Sequence, residues 1–147
     1  ALPYLRKTQG NIINMSSLVG KIGQEWASTY CASKGAIIAF TKALAIDEAR
    51  YGVRVNVVLP GNILTEARKQ NVAMSDNSEK WDRMIDHWQW MGRSGSIEEA
   101  GQVCLFLASK FASYLTGVEL IVSGGSELAF GKKYPPKFPL SKETKKK

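Results

Sequence analysis

An α/β fold built on a parallel sheet is predicted for this 147-residue chain. Two observations predict it. Three short apolar runs, at 11–16, 53–59 and 118–122, are bounded by Gly10, Gly52, Pro60-Gly61, Gly117 and Gly124-Gly125, as strands closed by turn residues are. Helix-period segments alternate with them, giving the order helix, strand, helix, strand, helix, strand, and strands joined by crossover helices run parallel. Composition agrees, with 44% hydrophobic and 22% charged residues, which is enough apolar surface for a core. The chain has no run of about 18 apolar residues, so no membrane partner is expected. The opening Ala-Leu-Pro-Tyr-Leu-Arg-Lys lacks the apolar core of a secretory signal.

Residues 1–10 read as the end of a helix, with Leu2 and Leu5 apolar and Gly10 as its stop. The run Asn11-Ile12-Ile13-Asn14-Met15-Ser16 reads as a strand buried on both faces. Residues 17–28 are broken by Gly and Ser and read as a loop. From 29 to 51 the pattern is helical and apolar on most sides (Ile37, Ile38, Phe40, Leu44, Ile46). Such a helix is buried on more than one face, one against the sheet and the other against a helix or a second subunit. Residues 53–59 form the next strand. Residues 64–95 are polar, irregular and rich in Met and Trp, although Trp81, Met84, Ile85 and Trp88 keep helical spacing. Ser96 and Glu99 spell a capping box for a helix whose buried stripe is Ile97, Ala100, Val103, Cys104 and Leu107. Residues 118–122 are the third strand. Three strands are too few for a sheet covered on both faces, and the chain opens inside a helix without Met, so the back part of a longer α/β protein is expected. Residues 1–130 would belong to that domain and 131–147 would be a Pro- and Lys-rich tail.

Charge is concentrated in the tail. Residues 131–147 hold seven lysines and one glutamate, which leaves 1–130 at +1 of the net +7. Net charge therefore gives no reason to expect a nucleic-acid partner. Two cysteines, Cys31 and Cys104, are too few for a disulfide scaffold and fit a reducing compartment. His87 is the only histidine, so no metal site is expected.

Tyr30 and Lys34 stand four apart at the start of the long helix and so share one face. A free tyrosine is a poor base at neutral pH, and a nearby ammonium favours the phenolate, so Tyr30 is a candidate general acid/base. Ser17 lies 13 residues earlier, just past the end of a strand. The loop Pro60-Gly61-Asn62-Ile63-Leu64-Thr65 follows the next strand at the same sheet edge, where ligands of open α/β sheets bind.

These segments, with Asn11-Ile12-Ile13-Asn14-Met15-Ser16-Ser17, Tyr30-Cys31-Ala32-Ser33-Lys34, Val53-Arg54-Val55-Asn56, Gly92-Arg93-Ser94-Gly95 and Thr116-Gly117 through Gly124-Gly125, resemble the short-chain dehydrogenase/reductase family over residues 1–125. The resemblance implies the C-terminal half of a Rossmann-type, doubly wound parallel sheet with helices on both faces. It implies an oxidoreductase that interconverts a secondary alcohol and a ketone with NAD, or NADP. Tyr30 would exchange a proton with the substrate oxygen, Ser17 would orient that oxygen, and Lys34 would aid Tyr30 and hold the nicotinamide ribose. Pro60, Gly61, Ile63 and Thr65 would embrace the nicotinamide end. Residues 64–95 would form the substrate lid. Within the family, the wording around Ser17, Asp47-Glu48, Pro60-Gly61-Asn62-Ile63 and residues 124–128 is most similar to 17-beta-hydroxysteroid dehydrogenases. The substrate would be a steroid 17-hydroxyl or a sugar hydroxyl such as that of L-fucose. A cytoplasmic homotetramer, packed partly through the 29–51 helix, is also implied.

The chain departs from the family pattern in lacking the glycine-rich phosphate-binding turn, the residue that selects NAD over NADP, and the asparagine of the catalytic set. A chain of this kind would neither turn over nor grip cofactor alone. The alternatives are a non-catalytic truncated homologue acting through oligomerisation, or a polybasic binder of nucleic acid or membrane.

Overall fold

The computed structural model describes residues 1–75 and 77–128. The tail expected at 131–147 lies outside the described residues.

The elements run α1 (Leu2–Thr8), β1 (Asn11–Met15), α2 (Val19–Ile22), α3 (Ser28–Ala49), β2 (Arg54–Pro60), α4 (Glu66–Ala73), α5 (Ser78–His87), α6 (Ile97–Ala108), a 3-10 turn (Lys110–Ala112) and β3 (Glu119–Val122). The strands form one parallel sheet in the order β1-β2-β3. Register places Ile13 beside Asn56 and Val58 beside Leu120.

The central strand is the core. On one face Val53, Val55, Val57 and Leu59 pack against Ala45 and Ile38 of α3. On the other, Val58 packs against Leu107 of α6 and Ala112. The sheet thus carries helices on both faces, as the fold class implied, because β2 takes both α3 and α6. Asn56 is fully buried in this strand. It donates to the Leu115 carbonyl at 2.8 Å and accepts from the Val118 N–H at 3.1 Å, so a strand-interior polar group is satisfied by the chain entering β3.

β1 is only half-buried, with Met15 exposed. It is an edge strand among the described residues, and so its sides lack the cover that a strand buried on both faces needs. The expected 17–28 loop contains a helical turn, α2. The 64–95 segment is less irregular than its sequence reads. Thr65 caps α4 by accepting the Arg68 N–H at 3.2 Å, and Asn77 caps α5 by accepting the Lys80 N–H at 3.0 Å. Neither helix has a buried residue, which is why α4 shows no apolar period. The capping box of Ser96 and Glu99 opens α6. Of its expected buried stripe only Leu107 is fully buried, and Ile97 is 56% exposed because it faces a cleft.

α3 buries Ile38, Thr41, Ala45 and Glu48. Its outward residues Ala36, Ala39, Phe40, Ala43 and Ile46 are exposed. Among the described residues, then, one face meets the sheet and the other is bare.

Candidate active site

The carboxyl ends of β1 and β2 deliver the expected residues to one place. Ser16, at the end of β1, is buried and donates to the Lys34 carbonyl at 2.7 Å. The Leu18 N–H donates to the Pro60 carbonyl at 2.9 Å. These bonds tie the Ser17 loop to α3 on one side and to the end of β2 on the other. Gly20 lets α2 lie directly on α3, since a Cβ there would sit 2.7 Å from the Lys34 carbonyl carbon.

Ser17, Tyr30, Pro60, Gly61, Ile63 and Thr65 line one cleft of about 610 Å³. Lys34 lines neither this cleft nor the one beside it but stands next to Tyr30. Its ammonium lies 5.7 Å from the Tyr30 ring centroid and donates to the Met15 carbonyl at 3.2 Å, and Met15 itself lines the cleft. Tyr30 is half-exposed and lines the cleft. A second cleft of about 1010 Å³ shares Ser17, Tyr30, Pro60, Gly61, Asn62 and Trp81 with the first. The two cavities therefore adjoin at Ser17 and Tyr30.

The 60–65 loop is held on three sides. The Gly61 N–H donates to the Val122 carbonyl at 2.9 Å, and a Cβ on Gly61 would come 2.9 Å from the Ser123 Cα. Ile63 pairs with Gly95, with the Leu64 N–H donating to the Gly95 carbonyl at 2.8 Å. Arg93 and Glu99 clamp the Gly95 segment through paired bonds of 2.8 and 2.6 Å. The Arg93 guanidinium and the Ser96 N–H together hold the Glu99 carboxyl at about 2, well below its ordinary value of 4.5.

Sequence reasoning gave Asn62 no role of its own and placed Arg68 only as a polar residue early in the lid. Asn62 donates to the buried Gln89 at 2.9 Å and so joins the loop to the lid. Its signal was its place inside the Pro-Gly-Asn turn. Arg68 lines the first cleft and bridges α4 to Asp82 at 2.8 Å and Asp86 at 3.4 Å. His87 is exposed, with Nδ1 2.9 Å from the Arg83 carbonyl. No group of three or more metal-ligating side chains occurs among the described residues. Cys31 and Cys104 are free.

A family model described as enoyl-(acyl carrier protein) reductase matches residues 1–127. The L-fucose dehydrogenase of Rattus norvegicus is 51% identical over 133 residues, which is 90% of this chain and 49% of the relative. A solved structure titled Cj0485 dehydrogenase superposes with a TM-score of 0.84 at 32% identity, covering 88% of this chain and 50% of that one. One titled ElxO with NADP bound gives 0.77 at 29% identity, covering 86% and 50%. The chain spans about half the length of the curated relatives it matches. With the parallel sheet, the Tyr30–Lys34 pair over the Ser17 loop and a family match along nearly the whole described length, the chain belongs to the short-chain dehydrogenase/reductase family.

Proposed function

We propose that this chain is the substrate-activating part of a nicotinamide-dependent oxidoreductase that interconverts a secondary alcohol and a ketone. The observation that carries the reading is the convergence of the Ser17 and Tyr30 side chains on two adjoining clefts, with the Lys34 ammonium 5.7 Å from the Tyr30 ring. NAD or NADP would supply the hydride acceptor or donor. The nicotinamide end fits the first cleft, whose wall combines small and apolar groups (Pro60, Gly61, Ile63) with the hydroxyl of Thr65. No glycine-rich turn for the diphosphate is found in the 147 residues.

On this reading Tyr30 takes the proton from the substrate hydroxyl during oxidation and returns it during reduction. Lys34 stabilises the negative charge that develops on the phenolic oxygen and holds the ribose. Ser17 donates to the substrate oxygen and fixes its orientation. Asn62 keeps the loop in register with the lid.

The substrate we infer is a sugar hydroxyl such as that of L-fucose. The similarity to L-fucose dehydrogenases supports it. The finer resemblance to 17-beta-hydroxysteroid dehydrogenase type 14 supplies the second reading, a steroid 17-hydroxyl, favoured by the apolar Trp81, Met84 and Trp88 lining the second cleft. A homotetramer formed partly through the bare face of α3, and a cytoplasmic location consistent with two free cysteines, complete the proposal. The test is NAD(P)H formation by this chain joined to the unmatched half of an L-fucose dehydrogenase, with L-fucose and a 17-hydroxysteroid as rival substrates. Turnover of L-fucose above the steroid is expected. Turnover of the steroid alone reverses the substrate assignment, and turnover of neither removes the proposal.

A further inference from the structure

Trp26 stands apart from the other aromatic residues of the site. Its indole is 99% exposed, although tryptophan normally buries most of its large apolar surface. Its backbone has φ 59, the left-handed region that bulky residues rarely enter. Strain of this kind concentrates at ligand-binding positions. Trp26 sits two residues before α3 and four before Tyr30, so its placement is coupled to the helix that presents the Tyr30 hydroxyl.

Trp26 lines the second cleft and is absent from the first. The two clefts share Ser17, Tyr30, Pro60, Gly61, Asn62 and Trp81 and differ in the rest of their lining. The first holds the Ile63–Thr65 part of the loop, which suits the nicotinamide. The second is lined by Trp26, Met84 and Trp88 together with the shared Trp81. A two-reactant site needs both reactants to meet at the proton-transferring hydroxyl, so the second cleft is the one left for the alcohol.

We infer that Trp26 is the stacking platform of the substrate cleft, binding the apolar C–H face of a pyranose ring while the ring's reacting hydroxyl points to Ser17 and Tyr30. The inference rests on the oxidoreductase reading and extends it to a specificity-determining residue. An exposed indole gains contact area only when the ring covers it, so it contributes to affinity without any change in the fold. The hydroxyls on the rim of the sugar stay free to meet polar groups, as a flat apolar platform beside Ser17 and Tyr30 requires.

The experiment is titration of the 147-residue chain with L-fucose, followed by tryptophan emission and by calorimetry. Emission should shift to the blue as the indole is covered. The shift should survive Trp90→Phe, which alters a residue outside both clefts, and Tyr30→Phe, and lose most of its size in Trp26→Phe, where only Trp81 and Trp88 of the cleft remain to report the sugar. Trp26→Ala should weaken sugar binding about fivefold while Trp26→Phe largely retains it, and neither should change the unfolding midpoint because the side chain is exposed. An unshifted spectrum at saturating sugar, or equal affinity in Trp26→Ala, overturns the inference. Fucose-dependent NAD(P)H formation alongside unchanged Trp26→Ala binding would remove the platform and leave the oxidoreductase reading. Sugar binding through Trp26 with no turnover in the joined enzyme would do the reverse.

Discussion

Gly20 shows how much of the site rests on one missing side chain. Its Cα lies so close to α3 that a Cβ would be 2.7 Å from the Lys34 carbonyl carbon and 2.8 Å from the Gly35 nitrogen, both backbone atoms that cannot swing aside. Gly20→Ala should therefore cost about 1–3 kcal/mol, read as a lowered urea midpoint. It should also push the Ser17 loop off α3, weakening sugar binding beyond what the stability loss explains. An unchanged midpoint would show that α2 is not seated on α3. The nearness of Tyr30 to Lys34 and the place of Ser17 past β1 are legible in the sequence, because a spacing of four on a helix and a serine past a strand end are local features. Gly20 is not, because its constraint comes from a helix met in space. Asn62 and Gln89 share that difficulty, since a hydrogen bond across 27 residues leaves no periodic trace.

At the level of elements, α6 and the segment before it set the height of the Ile63 strand-like contact. Ser96 and Glu99 exchange hydrogen bonds at the helix start, and Arg93 closes the clamp. With its pKa held at about 2 instead of 4.5, the Glu99 carboxylate is favoured by the folded state. Its stabilisation is complete above the ordinary value and is lost as pH falls towards 2. Glu99→Gln should lower Tm near neutral pH, and the gap to the parental chain should close on acidification; a gap that is constant with pH would contradict the assigned clamp. The capping box was readable because its signal lies within four residues. The helices α4 and α5 were only partly readable. The start of each is set by Thr65 or Asn77; α5 shows in the spacing of Trp81, Met84, Ile85 and Trp88, while α4, with no buried residue, carries no apolar period. The stripe of α6 was overread: Ile97 keeps the helical period but faces the cleft.

Over the whole molecule, the alternation of strands and helices was sufficient to predict a parallel sheet, and the order β1-β2-β3 agrees with it. Burial was harder to foresee. β2 is buried along most of its length while β1 is half-open, a difference that depends on each strand's place in the sheet and not on its composition. The site follows from that layout, because both loops that carry it leave the same edge. On the proposed reading the nicotinamide end of a cofactor would have its wall in these residues, while no glycine-rich diphosphate motif is found in the 147. The chain alone should bind NAD or NADP weakly, and the form joined to the unmatched half of an L-fucose dehydrogenase should bind at least about a hundredfold tighter, a difference of about 2.7 kcal/mol. Equal affinities by calorimetry would show that the chain holds the whole dinucleotide.

The central claim is that Tyr30 moves the proton, and the Tyr30→Phe change in the joined enzyme tests it most directly. The phenolic oxygen is lost while the ring and its contact with Lys34 remain, and the half-exposed position leaves the fold intact. Fucose-dependent NAD(P)H formation should fall at least about a hundredfold in kcat with sugar affinity and Tm unchanged. A variant that retains kcat within about twofold would contradict the account, since general acid–base catalysis cannot survive loss of the group that performs it.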